Sequence, residues 1–317
     1  MKGPLICSLL VFGCLRAAEG ELDRRLNLGA TEIPRDFVVL PNATNAVQFR
    51  LFTNAASEAR HLFNTFEIEA HGEILIGSPG GEPLRRSLSQ SLAGGELHNI
   101  LVNGKGPELA HGNGLVVVEK ASAPGWSYIG LDGSLAYRGL LKQFTRAILH
   151  VEPDLFIIRD HLVAGSPSSF QMRMHPPSAT RVDAIWRDLR LELPRAGLRV
   201  HAPAIQKQPR HWERIDSLAD RILEDTVTVQ LGATNALGEL NLLTVFATHR
   251  AGETRELAFR LLEGNNAIGA RIHREGLPTL IAFRTGPADQ TASLTGFEFG
   301  GPVGVSVFTP KKRPSAK

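Results

Sequence analysis

Two short segments of the sequence place imidazole and amide side chains directly before apolar runs. His61 and Asn64 precede one such run, and the pair His98-Asn99 precedes another. Imidazole is the side chain whose ordinary pKa lies closest to neutrality, so it can take up a proton or present a positive charge to an anion. Taken alone, the second pair is equally compatible with a structural role. An Asn at the start of a strand commonly caps a turn, and Asn103-Gly104 is itself a turn signal.

The elements that must position these side chains are short strands. Stretches rich in Val, Ile, Leu and Phe recur along the chain and are separated by Gly, Pro, Asn or Asp. A turn is predicted at Glu152-Pro153-Asp154, because proline presets the backbone angle of a turn's second residue. The strands are predicted at residues 37–40, 46–52, 65–76, 115–120, 145–151, 155–161, 189–193, 197–201, 225–231, 240–248, 254–262, 267–274, 279–284 and 303–309.

This spacing predicts an all-β fold, a large multi-stranded and supersandwich-like β-sandwich with one or two short helices. Leu84, Leu88 and Leu92 recur at every fourth residue and predict the first helix, which Gly94-Gly95 would end. The second helix is predicted from the helical spacing of the apolar residues Trp212, Ile215, Leu218, Ile222 and Leu223.

Composition excludes several classes of function. The chain has 317 residues and only two cysteines, Cys7 and Cys14, so no disulfide framework or cysteine zinc site can form beyond residue 14. The net charge of +3 is accounted for by Lys311-Lys312-Arg313 near the end of the chain. With two Tyr, three Trp and no basic stripe, the chain is not expected to bind nucleic acid.

The N-terminal twenty residues are predicted to be a secretion signal. Lys2 precedes an apolar run at 5–15 that is too short to span a bilayer, and Ala18-Glu19-Gly20 offers a cleavage site. We therefore expect a secreted or periplasmic protein, with lipid anchoring through Cys14 as the alternative. The predicted organisation is a signal peptide at 1–20, a sandwich domain at 21–310 and a basic tail at 311–317, with no membrane span.

Three ordered segments resemble the β-sandwich domain of the heparinase II/III-type polysaccharide lyases. They are HNILVNGKG at 98–106, GLDGSLAY at 130–137 and FTRAILHVEPDLFIIRD at 144–160. A further segment, RHLFNTFEI at 60–68, matches the family's His-rich strand entrance in its His and Asn, with the spacing one residue short. The resemblance implies that this chain carries the C-terminal sandwich without the α/α toroid domain that precedes it in the family.

The resemblance also implies an activity, β-elimination on acidic, uronate-containing polysaccharide. Such lyases neutralise the C5 carboxylate, remove the C5 proton with a base and protonate the departing glycosidic oxygen with an acid, commonly a tyrosine. By resemblance, His61, Asn64 and His98 are the catalytic candidates. Asn99 and Lys105 are the candidates for substrate binding.

The source of the acid leaves the enzymatic status open. In the family the tyrosine lies on the toroid, and Tyr128 and Tyr137 match no such position. We therefore expect a split or degenerate lyase, whose partners are acidic polysaccharide and a separate α/α toroid protein. The alternative is a non-catalytic carbohydrate-binding or structural module.

The family's zinc site is expected to be degraded. Zinc-containing members use a His of the strand entrance, an Asp and the His of the His-Asn motif. Here only His98 matches cleanly, Ser78 stands where Asp is usual, and His61 could add one ligand. Because structural zinc sites need about four ligands, neither a metal nor another cofactor is expected.

Several other polar residues are predicted to be structural. His150 and His161 are expected to be packed or hydrogen-bonded, and His175 is expected to hold a loop. Arg146 and Asp160 flank a hairpin and are expected to form salt bridges. Asp132 is expected to fix a loop, and surface positions are expected for His71, His111, His201, His211 and His273.

Overall fold

A computed structural model describes most of the chain after residue 36. The described residues are 37–40, 47–52, 65–77, 100–107, 115–177, 179–185, 188–202, 210–215, 228–233, 236–253, 257–274 and 277–307. Within these ranges every regular element is a β-strand. In chain order the strands are β1 (Phe37–Leu40), β2 (Val47–Phe52), β3 (Phe66–Ala70), β4 (Glu73–Ile76), β5 (Ile100–Val102), β6 (Val116–Ala123), β7 (Trp126–Asp132), β8 (Leu141–Val151), β9 (Leu155–Ser168), β10 (Phe170–Met174), β11 (Arg181–Ile185), β12 (Asp188–Glu192), β13 (Ala196–His201), β14 (Arg210–Ile215), β15 (Thr228–Ala233), β16 (Leu237–Arg250), β17 (Leu257–Gly264), β18 (Ala267–Arg274), β19 (Leu277–Arg284), β20 (Ala292–Leu294), β21 (Phe297–Phe299) and β22 (Val303–Val307).

An eight-stranded antiparallel sheet forms the central layer, in the order β11-β12-β13-β16-β9-β8-β7-β6. One of its faces packs on the sheets β1-β2-β3-β4 and β14-β15-β10-β5, and the other packs on β17-β18-β19-β22. Side chains alternate between these two cores, since successive residues of a strand point to opposite faces. Phe156 and Ile158 lie in the first core, whereas Ile157 lies in the second. The all-β sandwich predicted from the sequence is therefore confirmed.

The small hairpin β20-β21 forms a separate two-stranded sheet, and its β20 contacts β17, β18 and β19. Its Leu294 and Phe299 pack with Ala282 in a third apolar cluster. The close approach requires a residue without a side chain in β18, because a Cβ at Gly269 would overlap the Ile281 carbonyl oxygen and meet Leu294 Cδ2 at 2.8 Å.

The strand predicted at 65–76 is instead a hairpin of β3 and β4. His71 and Gly72 form its turn, with φ of 51° and 75°. Two successive residues with positive φ are typical of the tight turn that matches strand twist. This turn was not predicted, because His is not among the residues that usually signal a tight turn. The turn predicted at 152–154 is present.

The helix predicted over residues 212–223 is wrong where the structure describes it. Trp212 and Ile215 lie in β14, which pairs antiparallel with β15 and places Trp212 opposite Leu231. Tertiary pairing overrides the apparent helical spacing here, because β15 needs a partner for its backbone groups on that side. Positions 218, 222 and 223, and the helix predicted at 84–92, lie outside the described residues.

Most of the polar residues predicted to be structural are bound into the fold. His150 is fully buried, and its ring stacks on Phe156 at a centroid distance of 4.5 Å. His161 Nε2 lies 2.8 Å from Glu239 Oε1. Asp132 Oδ1 accepts a hydrogen bond of 2.8 Å from the backbone N–H of Ser134, which fixes the loop that follows β7.

Candidate functional site

Four of the five predicted site residues lie outside the described residues. His61, Asn64, His98 and Asn99 belong to this group, so their catalytic and binding roles stay predictions. Lys105 is described, and it is exposed at the end of the turn that follows β5. The described parts of the predicted site are therefore Lys105 and the strand ends that lie next to the other four residues in the sequence.

The turn that carries Lys105 is rigidly held. The Lys105 N–H donates to the Val102 carbonyl at 3.0 Å, and Asn103 and Gly104 have φ of 52° and 74°. The Asn103 side chain accepts a hydrogen bond of 2.8 Å from the Ser169 N–H and donates one of 3.1 Å to Ser168 Oγ. The turn predicted at Asn103-Gly104 is confirmed. The exposed Lys105 side chain extends from a backbone that these hydrogen bonds hold in place.

Four strand ends lie together at one side of the sandwich. β5 pairs with β10, so Ile100 lies opposite Met172. The carbonyl of His175, directly after β10, accepts a hydrogen bond of 3.1 Å from the N–H of Gly77, directly after β4. His175 is buried, as is Thr65 just before β3. The described chain thus brings the starts of β3 and β5 into one region with the ends of β4 and β10.

Both tyrosines of the chain are bound into the fold and described. Tyr137 is fully buried, its O–H donates to the Ile100 carbonyl at 2.9 Å, and its ring packs edge-on against Phe144. Tyr128 is nearly buried and its O–H donates to Glu119 Oε2 at 3.2 Å. Burial, together with the charge of Glu119, raises the pKa of Tyr128 well above its usual range. Neither phenol is therefore suited to protonate a leaving group.

Replacing Tyr137 with phenylalanine is expected to lower the free energy of unfolding by ~1–3 kcal/mol, because it leaves the buried Ile100 carbonyl without this donor. Tyr128→Phe is the matched control and is expected to cost less, about 1 kcal/mol or below, since water can reach the Glu119 carboxylate. Urea unfolding followed by circular dichroism measures both. Equal costs would show that the Tyr137 hydrogen bond does not anchor β5.

A polar cavity that was not predicted from the sequence lies on the opposite face of the central sheet. The cavity has a volume of about 390 Å³ and lies between β12, β13 and β16 on one side and β17 and β18 on the other. Three charged residues that line it, Arg190, Glu192 and Arg199, stand at alternating positions of their strands. That alternation was the available signal, but a polar strand face on a predicted sandwich normally indicates solvent.

A glycine allows two side chains to meet across an intervening strand. Glu192, Gly197 and His249 are direct register partners on β12, β13 and β16. His249 Nε2 lies 3.1 Å from Glu192 Oε1. A Cβ at position 197 would overlap the His249 ring, so only glycine leaves room for this contact. The result is an imidazole–carboxylate pair at the wall of the cavity.

His201, predicted to lie at the surface, has only 19% of its side chain exposed and follows the cavity-lining Arg199 by two residues on β13. Its Nδ1 lies 2.6 Å from Asp188 Oδ1, and Arg199 Nη2 lies 3.5 Å from Asp188 Oδ2. Partial burial alone would raise the pKa of Asp188, but the hydrogen bond and charge of His201, with those of Arg199, hold it below its usual value. The surface position predicted for His201 is wrong, because the ring of Phe259 packs against the imidazole at a centroid distance of 4.9 Å.

Among the described residues no group of three or more His, Cys, Asp or Glu side chains is arranged to hold a metal ion. The candidate ligands His61, Ser78 and His98 lie outside that part of the chain, so the degraded zinc site stays a prediction. No helix that could cross a membrane occurs in the described ranges.

Comparison with known proteins identifies the fold. The sequence matches no family model and no curated protein. Among solved structures, a mutant of the heparan sulfate lyase HepC from Pedobacter heparinus matches with a TM-score of 0.61 and 12% identity, over 82% of this chain and 43% of that one. A heparinase III matches with a TM-score of 0.58 and 14% identity, over 78% and 41%. A heparinase III with methylated lysines gives 0.60 and 13%, over 80% and 41%.

The chain spans about two-fifths of the length of these lyases. At this level of identity the likeness concerns the fold, and it extends over about four-fifths of the chain. The resemblance inferred from the three sequence segments is therefore confirmed at the level of fold. The protein has the fold of a part of the heparinase III structures, consistent with their C-terminal domain alone.

Proposed function

We propose that the protein is a secreted, heparinase II/III-like sandwich that acts on acidic, uronate-containing polysaccharide as part of a split lyase. The observation that carries this proposal is the fold shared with a heparan sulfate lyase and with heparinase III. The residues that resemble the family's motifs flank the strand ends that the structure brings together. The shared fold and the sequence motifs thus both support a lyase site at these strand ends.

In this proposal the sandwich supplies the groups that bind the acidic sugar and remove its proton. His61, Asn64 and His98 neutralise the C5 carboxylate and take up the C5 proton. Asn99 and Lys105 bind the polymer. The exposed ammonium of Lys105 on its rigid turn suits a carboxylate or sulfate group, since lysine presents a compact, mobile charge.

The proton donor comes from a second protein. Tyr128 and Tyr137 are the only tyrosines in the sequence, and both hydroxyls are engaged within the sandwich. A separate α/α toroid protein would provide the acid and the second wall of the cleft. The same engagement of both hydroxyls favours the second candidate function, a non-catalytic carbohydrate-binding module.

Export to the periplasm or the outside of the cell would give the protein access to such polymers. The signal at 1–20 directs this export, with lipid attachment at Cys14 as the alternative.

Affinity electrophoresis in gels containing heparan sulfate tests the proposed function. The wild-type protein is expected to be retarded relative to a gel with a neutral glucan. Lys105→Ala and His98→Ala are expected to weaken binding, for Lys105 by up to about fivefold, the range of a solvent-exposed ion pair. Arg260→Ala on the exposed side of β17 is the charge-matched control. Unchanged mobility in heparan sulfate, or equal effects of Lys105→Ala and Arg260→Ala, would contradict the proposal.

A further inference from the structure

The cavity between the central sheet and β17-β18 lies away from the site proposed above. Leu257 at its wall belongs to the core on one face of the central sheet. Ile100 and Met172, on the strands beside the predicted site, belong to the core on the other face. The cavity therefore provides a separate location for a ligand. Its volume of about 390 Å³ is within the range of small-molecule sites.

Two arginines face each other at this cavity. Arg190 on β12 and Arg199 on β13 are direct register partners, and both line it. Like charges directly opposite each other on neighbouring strands destabilise a sheet. Asp188 offsets part of the charge of Arg199, through a contact of 3.5 Å. An anion bound between the two guanidinium groups would remove the remaining repulsion.

The guanidinium donors of Arg190 and Arg199 also favour an anion bound between these two residues. Within the described part of the chain, the Arg190 guanidinium has no ion-pair partner, although Asp183 stands opposite it on β11. The buried Nε of Arg199 has no hydrogen-bond partner among the described residues. Guanidinium groups bind carboxylates with paired, charge-assisted hydrogen bonds. These donors therefore fit a carboxylate better than they fit a neutral group.

Acceptors for hydroxyl groups stand on the other side of the cavity. Arg274 is paired with Asp154, and Glu192 Oε1 lies 3.1 Å from His249 Nε2. The Glu192 carboxylate can accept further hydrogen bonds, because each of its oxygens has two lone pairs. Glu253 is exposed and also lines the cavity. Carboxylate oxygens are suitable partners for the hydroxyls of a sugar.

We infer that this cavity binds a hydroxylated carboxylic acid of monosaccharide size, a hexuronate, with its carboxylate between Arg190 and Arg199 and its hydroxyls toward Glu192 and Glu253. The inference goes beyond the proposed elimination and needs no turnover. The Gly197 gap is part of the site, because it lets His249 hold the Glu192 carboxylate in place across β13.

Titration with glucuronate, followed by calorimetry and by thermal unfolding, tests the inference. Glucuronate is expected to bind and to raise the melting temperature, since a ligand that binds only the folded state stabilises it. Glucose, which lacks the carboxylate, is expected to bind at least about tenfold more weakly. Binding of glucose and glucuronate with equal affinity, or no binding of glucuronate, would overturn the inference.

Substitutions in the cavity test whether glucuronate binds there. Arg190→Gln and Arg199→Gln are each expected to raise the Kd for glucuronate by about tenfold, the loss of a charge-assisted hydrogen bond. Arg260→Gln, on the same layer but outside the cavity, is expected to leave the Kd unchanged. If Lys105→Ala abolishes binding and the two cavity variants do not, the ligand lies at the elimination site. That result would overturn the cavity inference and leave the proposed function standing.

Discussion

Replacing Asp160 with asparagine is expected to lower the free energy of unfolding by ~3–5 kcal/mol, because it removes a carboxylate that is paired with a buried arginine. Arg146 and Asp160 are register partners on β8 and β9, and both side chains are fully buried. Arg146 Nε donates to Asp160 Oδ1 at 2.7 Å, and Nη2 donates to Oδ2 at 3.0 Å. The two carboxylate oxygens thus match the two donors of the guanidinium edge.

The surroundings of the pair explain why the loss should be large. The guanidinium carbon of Arg146 lies 5.6 Å from the centroid of Phe144 and 5.9 Å from that of Phe66. These rings lie in the core between the central sheet and β1-β2-β3-β4 and exclude water from the arginine. Ring faces attract a cation, but by far less than a carboxylate in direct contact. The two rings therefore do not replace the carboxylate of Asp160.

Two further variants separate charge from packing. Arg146→Met combined with Asp160→Leu is expected to recover most of the loss, because apolar residues of similar volume often replace a buried ion pair without cost. Glu239→Gln removes the negative charge from the more exposed contact with His161 and is expected to cost less than about 1 kcal/mol. Urea unfolding at neutral pH measures all three variants. A cost for Asp160→Asn no greater than that for Glu239→Gln would show that Arg146 is satisfied without Asp160.

This pair also shows what the sequence could predict. The sequence predicted that Arg146 and Asp160 flank a hairpin and form salt bridges, and they pair with each other because they lie symmetrically about the turn at 152–154. The same local reasoning predicted the strand at 267–274 with the bounds observed for β18. It could not predict that both residues are fully buried, since that depends on β1-β2-β3-β4 packing over them.

The cavity could not be predicted for a related reason. Glu192 and His249 are 57 residues apart in the sequence and meet only because β13 joins β16 in the sheet, not β14. No local pattern determines which strand becomes the neighbour of β13. Gly197 gave no signal either, because its role appears only when its two cross-strand neighbours are known. Of the predicted elimination site, only Lys105 and its turn fall within the described residues.

The sandwich alone is expected to cleave uronate-containing polymers ~10²–10⁴ times more slowly than a mixture with a toroid protein that supplies a tyrosine. This factor is the usual contribution of a general acid to the rate. Without a positioned donor the glycosidic oxygen must depart as an alkoxide. Neither phenol of this chain is free to assist, because each hydroxyl donates to a partner within the fold. In the proposed split lyase the toroid protein also supplies one wall of the cleft, so its omission from the assay removes substrate positioning and adds to the loss.

The ultraviolet absorbance of the unsaturated product measures this difference on heparan sulfate, hyaluronan, chondroitin and alginate. In the active mixture, His98→Ala and His61→Ala are expected to remove most of the turnover, since the sandwich would supply the base. Tyr128→Phe is expected to leave the rate unchanged, because its hydroxyl faces Glu119. Rapid turnover by the lone chain that Tyr137→Phe abolishes would show that the sandwich holds a complete site. A mixture that binds polymer but never cleaves it, with any toroid protein, would instead support the carbohydrate-binding module.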